Sequence, residues 1–267
     1  MRGKMEKLVI GIDLSTNHVG IVSLDYETGK VFETGILTDL KGFLDTGFVN
    51  YEYYLKLWKE KEETKDSFIA RRRRSVSNDV EDCILQMSRH FYACDTSSSQ
   101  VYQTYLEQTE LKDVYIAMED YAFGAFARGI FENAEICGIL KNYLYCHKIN
   151  LRLIDPLSIK KWATGNGHCL KKEMSLVARS EGFDIPDKLV KVVKKSVKKV
   201  EVEDFDGPGT DLADAYFLAQ MLRTELLVRE GKVEIKDLRE HKREIFLRVS
   251  KRFPENLVVR PFICKGV

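Results

Sequence analysis

A chain of 267 residues with 44% apolar content is long enough to bury one large core or two small ones, which excludes disorder as the default state. Its 42 Lys and Arg against 41 Asp and Glu leave a net charge of +1, so no overall excess announces a nucleic-acid partner and local clusters must carry any such role. The six cysteines include no C-x-x-C pair and the five histidines form no ligand pair, which points to reduced thiols in a reducing compartment rather than to zinc or disulfides. No run approaches the ~18 apolar residues of a membrane span and no secretory core follows the first charges, so the chain is expected to be soluble and cytoplasmic, without a membrane partner.

In chain order, residues 8–12, 19–24 and 30–37 are β-branched apolar runs separated by turn material, which predicts three strands in an antiparallel meander. Residues 40–111 turn aromatic-rich and charge-rich with helical spacing, including Arg71 to Arg74 and the series Val80, Ile84, Met87 and Phe91. That pattern predicts a helical insertion plus one packing helix, over 39–110. Residues 114–118 form a fourth strand, 131–145 a helix, and 149–154 a fifth strand stopped at Asp155-Pro156. Short helices at 156–162 and 171–181 flank the turn Thr164-Gly165-Asn166-Gly167. From 188 to 200 six lysines lie opposite Leu189, Val193, Val197 and Val200, which predicts a basic amphipathic helix. An acidic linker over 201–209 then leads to a helix capped by Thr210 and running to about 228. The order predicts one α/β domain over 1–228 with a mixed five-stranded sheet flanked by helices, followed by a basic C-terminal extension over 229–267 with no readable pattern.

Asp13 interrupts the apolar strand in GIDLSTNHVGIV, where a buried carboxylate is costly unless it is paired or holds a metal; the alternative is a turn cap through Ser15 or Asn17. Glu119 closes the fourth strand beside Asp120, and pleat alternation gives the two different surroundings. Asp211 and Asp214, three apart in TDLADAYFLAQML, share one side of a helix and repel unless a cation lies between them, although acids near a helix start are also favoured by its dipole. Together the four supply the oxygen ligands that two hard cations need for phosphodiester hydrolysis.

GIDLSTNHVGIVSLD, YIAMEDYAFG, IDPLSIKKWATGNGHCLKKEM and GTDLADAYFLA, in this order, resemble the active-site regions of RuvC-type Holliday junction resolvases. The resemblance covers most of the chain outside 39–110 and the C-terminal extension. It implies an RNase H-like fold and a homodimer that nicks branched four-way DNA in recombination and repair. It also implies two Mg²⁺ or Mn²⁺ ions per site, held by Asp13, Glu119, Asp211 and Asp214. The long insertion, the extra tail and the balanced charge depart from the family pattern.

Phosphate contacts require cations near the carboxylates, and Lys160, Lys161, Lys171 and Lys172 surround the Gly165-Asn166-Gly167 turn. Tyr121 and Phe123 (with Phe126) follow Glu119, where aromatics either stack on unpaired bases or pack in a core. Arg71 to Arg74 and the 188–199 lysines serve equally as solvated faces. The helix over 131–145, with Ile136, Ile139, Leu140 and Tyr143 beside Gly138, is the candidate dimer contact or a packing helix on its own sheet. Competing readings are another branch or flap nuclease, a silent DNA-binding module, and an actin or sugar-kinase type ATPase whose second phosphate loop Asp206 to Thr210 would mimic.

Overall fold

The computed structural model describes residues 7–14, 18–38, 51–54, 64–93, 113–120, 128–197, 200–250 and 254–263. Strands β1 (Leu8–Leu14), β2 (His18–Asp25) and β3 (Val31–Thr38) form the predicted antiparallel meander. A short β4 (Tyr51–Tyr54) lies parallel on the outer edge of β3, inside the segment whose pattern reads as helical. Its tyrosines favour the extended backbone over the helix. Helix α1 (Lys65–Ala93) follows, then β5 (Val114–Glu119), α2 (Arg128–Cys146) and β6 (Asn150–Ile154). β5 runs parallel to β1 and β6 parallel to β5, so the order is β4-β3-β2-β1-β5-β6. The five predicted strands make the mixed sheet, flanked by helices, to which β4 adds an edge.

The chain continues through α3 (Pro156–Thr164), α4 (Lys171–Ser180), β7 (Lys191–Val197), β8 (Val200–Asp206), α5 (Pro208–Arg229) and α6 (Glu240–Leu247). Both sheet faces are covered, which is why β1 is a nearly unbroken apolar run. Leu8, Ile10, Ile12 and Leu14 pack on one side with Val80, Ile84 and Met87 of α1 and Ile136, Leu140 and Leu144 of α2. Val9 points the other way, with Leu212, Ala215 and Ala219 of α5. Outside α5 lies a further layer, with Ile159 and Trp162 of α3, Met174 and Ala178 of α4 and Phe246 of α6. Helix α5 is therefore enclosed, and it lacks the polar stripe of a surface helix.

Three readings are corrected. The segment over 188–200 is no helix: β7 pairs antiparallel with β8, and the supposed linker over 201–209 is β8 and the start of α5. Cross-strand pairs such as Lys191 with Asp206 and Lys194 with Glu203 match opposite charges, and a Val-rich strand satisfies them better than a helix does. Thr210 does not cap α5, which starts at Pro208 after Gly207; the Thr210 hydroxyl instead donates to the Gly207 carbonyl at 2.8 Å. Of the candidate dimer helix, Ile136 and Leu140 are buried in its own core, while Gly138 and Ile139 face outward. Among the described residues, no helix is long and apolar enough to cross a membrane.

Candidate active site

Two glycines let α5 lie directly on the sheet. A Cβ on Gly11 would stand 1.9 Å from the Ala215 carbonyl oxygen, and one on Gly20 2.4 Å from the Asp211 backbone. Only glycine at both positions permits this approach. Gly20 is the register partner of Asp13, so the first turn of α5 settles over the end of β1 and delivers Asp211 and, one turn on, Asp214. Ile12 pairs with Met118, which places Glu119 beside Asp13 on the α5 face. Asp120, one residue on, has its backbone N–H tied to the Ile154 carbonyl at 2.7 Å and its side chain buried.

Asp13, Asp211 and Asp214 each offer a carboxylate oxygen within 4.8 Å of the others, and all three are buried. Asp13 shares hydrogen bonds with both Glu119 and Asp214. Burial, then the charges of Asp211, Asp214 and Glu119, holds the Asp13 carboxyl well above the usual range. Burial and Asp214 push Glu119 up to about 7, and burial lifts Asp214 to about 6 against the pull of Lys171. Lys171, first residue of α4, sets its ammonium 2.8 Å from Asp211 Oδ1, 3.2 Å from Thr210 Oγ1 and 3.8 Å from Asp214 Oδ2. Burial alone would lower its pKa, but Asp211, Asp214 and Asp13 outweigh burial and raise it, so the ammonium stays charged.

The donor set fits a hard divalent cation: several convergent carboxylates, incompletely neutralised by the ammonium bonded to them, with oxygen as the only ligand atom. Asp13, Asp211 and Asp214 are the residues able to hold it, with Glu119 hydrogen-bonded to Asp13 beside them.

The four lysines read as phosphate contacts diverge. The charge of Lys160, like that of Lys171, acts on Glu119 and Asp214. Lys161 pairs with Glu244 of α6, and Lys172 reaches Glu203 of β8 at 3.5 Å. Tyr121, Phe123 and Phe126 lie outside the described residues. Arg71 to Arg74 belong to α1, on the opposite face of the sheet, with Arg73 paired to Glu135. The segment from Asp206 to Thr210 joins a strand to a helix rather than two strands, which removes the second phosphate loop that the ATPase reading needs.

Sequence reasoning missed two supports. Asp204 is the buried acid of β8: its Oδ1 accepts from the backbone N–H groups of Lys172 and Phe205, both at 2.8 Å, and its Oδ2 from Lys195 at 2.8 Å. It thereby caps α4, whose own N-cap residue Leu170 provides no side-chain bond, and fixes the helix end that carries Lys171. Nothing in the acidic run distinguishes Asp204 before the hairpin is known. The second support is α6 in the C-terminal extension: Phe246 meets Trp162 edge-on at 5.4 Å, and Lys242 lies over the Trp162 ring at 4.3 Å. Together they brace α3 and, with His241 against Gly165, the turn beyond it.

No family model matches the chain, and no curated protein matches it by sequence. Among solved structures it is similar to Thermus thermophilus RuvC and to T. thermophilus RuvC in complex with a Holliday junction substrate. Each is 15% identical and the match covers 84% of this chain and 96% of that one, with TM-scores of 0.43 and 0.44. The likeness concerns the fold alone.

Proposed function

We propose that the chain is a metal-dependent, structure-selective DNA endonuclease that cuts four-way junctions, a crossover junction endodeoxyribonuclease, with Asp13, Glu119, Asp211 and Asp214 as ligands of two Mg²⁺ or Mn²⁺ ions. The observation that carries the reading is the convergence of Asp13 from β1 with Asp211 and Asp214 from α5 on one buried point, with Glu119 of β5 hydrogen-bonded to Asp13. Bound ions would supply a nucleophilic water and charge stabilisation for the leaving oxygen. The chain's own residues do the rest. Asp13, at the centre of the hydrogen-bonded group, orients Glu119 and Asp214. Lys160, whose charge acts on Glu119 and Asp214, places positive charge where a phosphate would enter.

A four-way junction has two-fold symmetry and needs two matched cuts, which a two-fold dimer of this chain supplies. The outward face of α2 is the candidate contact: Ile139 and Tyr145 are exposed, and Gly138 leaves open space beside them. The test incubates the protein and Mg²⁺ with labelled four-way, forked and linear duplex DNA. Paired symmetric nicks in the four-way substrate are expected, lost on Ile139→Asp together with the dimer seen by light scattering. Cutting of one strand only, by a monomer, would favour a branch or flap nuclease on the same fold.

A further inference from the structure

The carboxylate group has a cation of its own. Lys171 Nζ bonds Asp211 Oδ1 at 2.8 Å and stands 3.8 Å from Asp214 Oδ2, so it occupies the space between the two acids of α5. The position is enforced from two sides. Thr210, almost fully buried, accepts a third contact from the same ammonium at 3.2 Å, and Asp204 pins the N-terminus of α4, where Lys171 is the first residue. An ammonium devoted to an incoming phosphate would gain nothing from this arrangement, because two of its three donors are spent on Asp211 and Thr210.

A divalent ion would need its oxygens at ~2.0–2.6 Å, and at Asp211 it would compete for the oxygen that the ammonium already bonds. We propose that Lys171 is a resident counter-cation that competes with one of the two divalent ions for Asp211 and Asp214, and that its ammonium swings out to a substrate phosphate only when the site is loaded. The proposal rests on the metal-nuclease reading. Its physical basis is electrostatic: with the site empty, Lys171 is the cation bonded to this group, and it offsets repulsion between Asp211 and Asp214. With two divalent ions bound, the carboxylates no longer attract it. Loading and phosphate binding are thereby coupled through one side chain, and Asp204, through α4, sets how far that side chain reaches.

The test is Mn²⁺ binding without DNA, followed by calorimetry and by the electron paramagnetic resonance of free Mn²⁺, for the intact protein, Lys171→Met and Lys171→Arg. We expect Lys171→Met to bind the weaker of two ions at least about tenfold more tightly than the intact chain. Metal-free Lys171→Met should also melt at a lower temperature and gain more from Mn²⁺ than the intact protein does. If it is too unstable to fold without metal, recovery of the fold on adding Mn²⁺ gives the same answer. Lys171→Arg keeps the charge and should not tighten binding. Equal or weaker Mn²⁺ binding by Lys171→Met, or tighter binding by Lys171→Arg, overturns the proposal while leaving the nuclease reading intact. Absence of Mn²⁺ binding by the intact protein as well as by both variants overturns the nuclease reading itself.

Discussion

Two clusters of buried charge lie on α5, and their difference separates structure from chemistry. Near its C-terminal end Arg152 and Glu225, each 1% exposed, form a two-bond pair at 2.9 and 2.5 Å, and Arg229 adds a third bond to Glu225 at 2.8 Å. The remaining guanidinium donors reach the Pro261, Arg260 and Leu257 carbonyls, and Phe262 packs between Arg152 and Arg229. That cluster stitches the C-terminal segment to the edge of the sheet, where the Ile263 N–H also reaches the Leu151 carbonyl. Near the N-terminal end, like charges are gathered instead, and one ammonium faces four carboxylates. A satisfied buried cluster specifies the fold, whereas an unbalanced one is tolerated for what it binds.

The largest effects should fall on opposite properties at the two ends. Asp211→Asn or Asp13→Asn is expected to abolish cleavage, retain DNA binding in a gel-shift assay, and raise the melting temperature of the metal-free protein by relieving repulsion. Arg152→Ala strands Glu225 and should cost about 3–5 kcal/mol in a denaturant titration, by releasing the C-terminal segment rather than by changing the metal site. If the first pair lowers stability as Arg152→Ala does, the contrast fails.

Next in size is the glycine contact that sets the site's geometry. Gly20→Val must push the Asp211 backbone away, at about 1–3 kcal/mol in stability. Because displacement of a reacting group by ~1 Å can cost about 10²-fold in rate, cleavage should fall by far more than the stability loss explains. Wild-type rates in a folded Gly20→Val protein would show that the close approach of α5 is not what aligns the carboxylates.

The smallest effect is the pH dependence. Glu119 titrates at about 7 and Asp214 at about 6 in the fold, above unfolded carboxyls at ~4. Between those values the folded chain holds protons that the unfolded chain has lost. Metal-free stability should therefore fall as pH rises from about 4 to about 7, while metal affinity rises over the upper part of that window. Glu119→Gln should flatten the fall, measured as melting temperature against pH. An unchanged slope would place the raised carboxyls elsewhere.

The central sheet was legible because its period was unambiguous: β1, β2 and β5 are apolar on both faces, and Asp13 is conspicuous within such a run. The pairing of Asp211 with Asp214 followed from helical spacing alone. The hairpin was not legible, because a segment of lysines and valines satisfies a helical period as well as a strand, and what decides it is the acidic strand opposite. The role of Lys171 was also hidden. Among Lys160, Lys161, Lys171 and Lys172 nothing local distinguishes the one turned onto Asp211, since its direction is set by Asp204 and Thr210, more than thirty residues away in sequence. The C-terminal extension lacked any pattern because its anchors are single residues, Phe246 against Trp162 and Phe262 between two arginines, rather than a repeated stripe.

The most direct test is single-turnover cleavage of a labelled four-way junction by the intact protein and by Asp211→Asn, with Mg²⁺, with chelator and with Mg²⁺ restored. The account predicts paired cuts by the intact protein only when Mg²⁺ is present, and binding without cutting by Asp211→Asn. Cleavage that persists in chelator, or that Asp211→Asn performs at the intact rate, would contradict it.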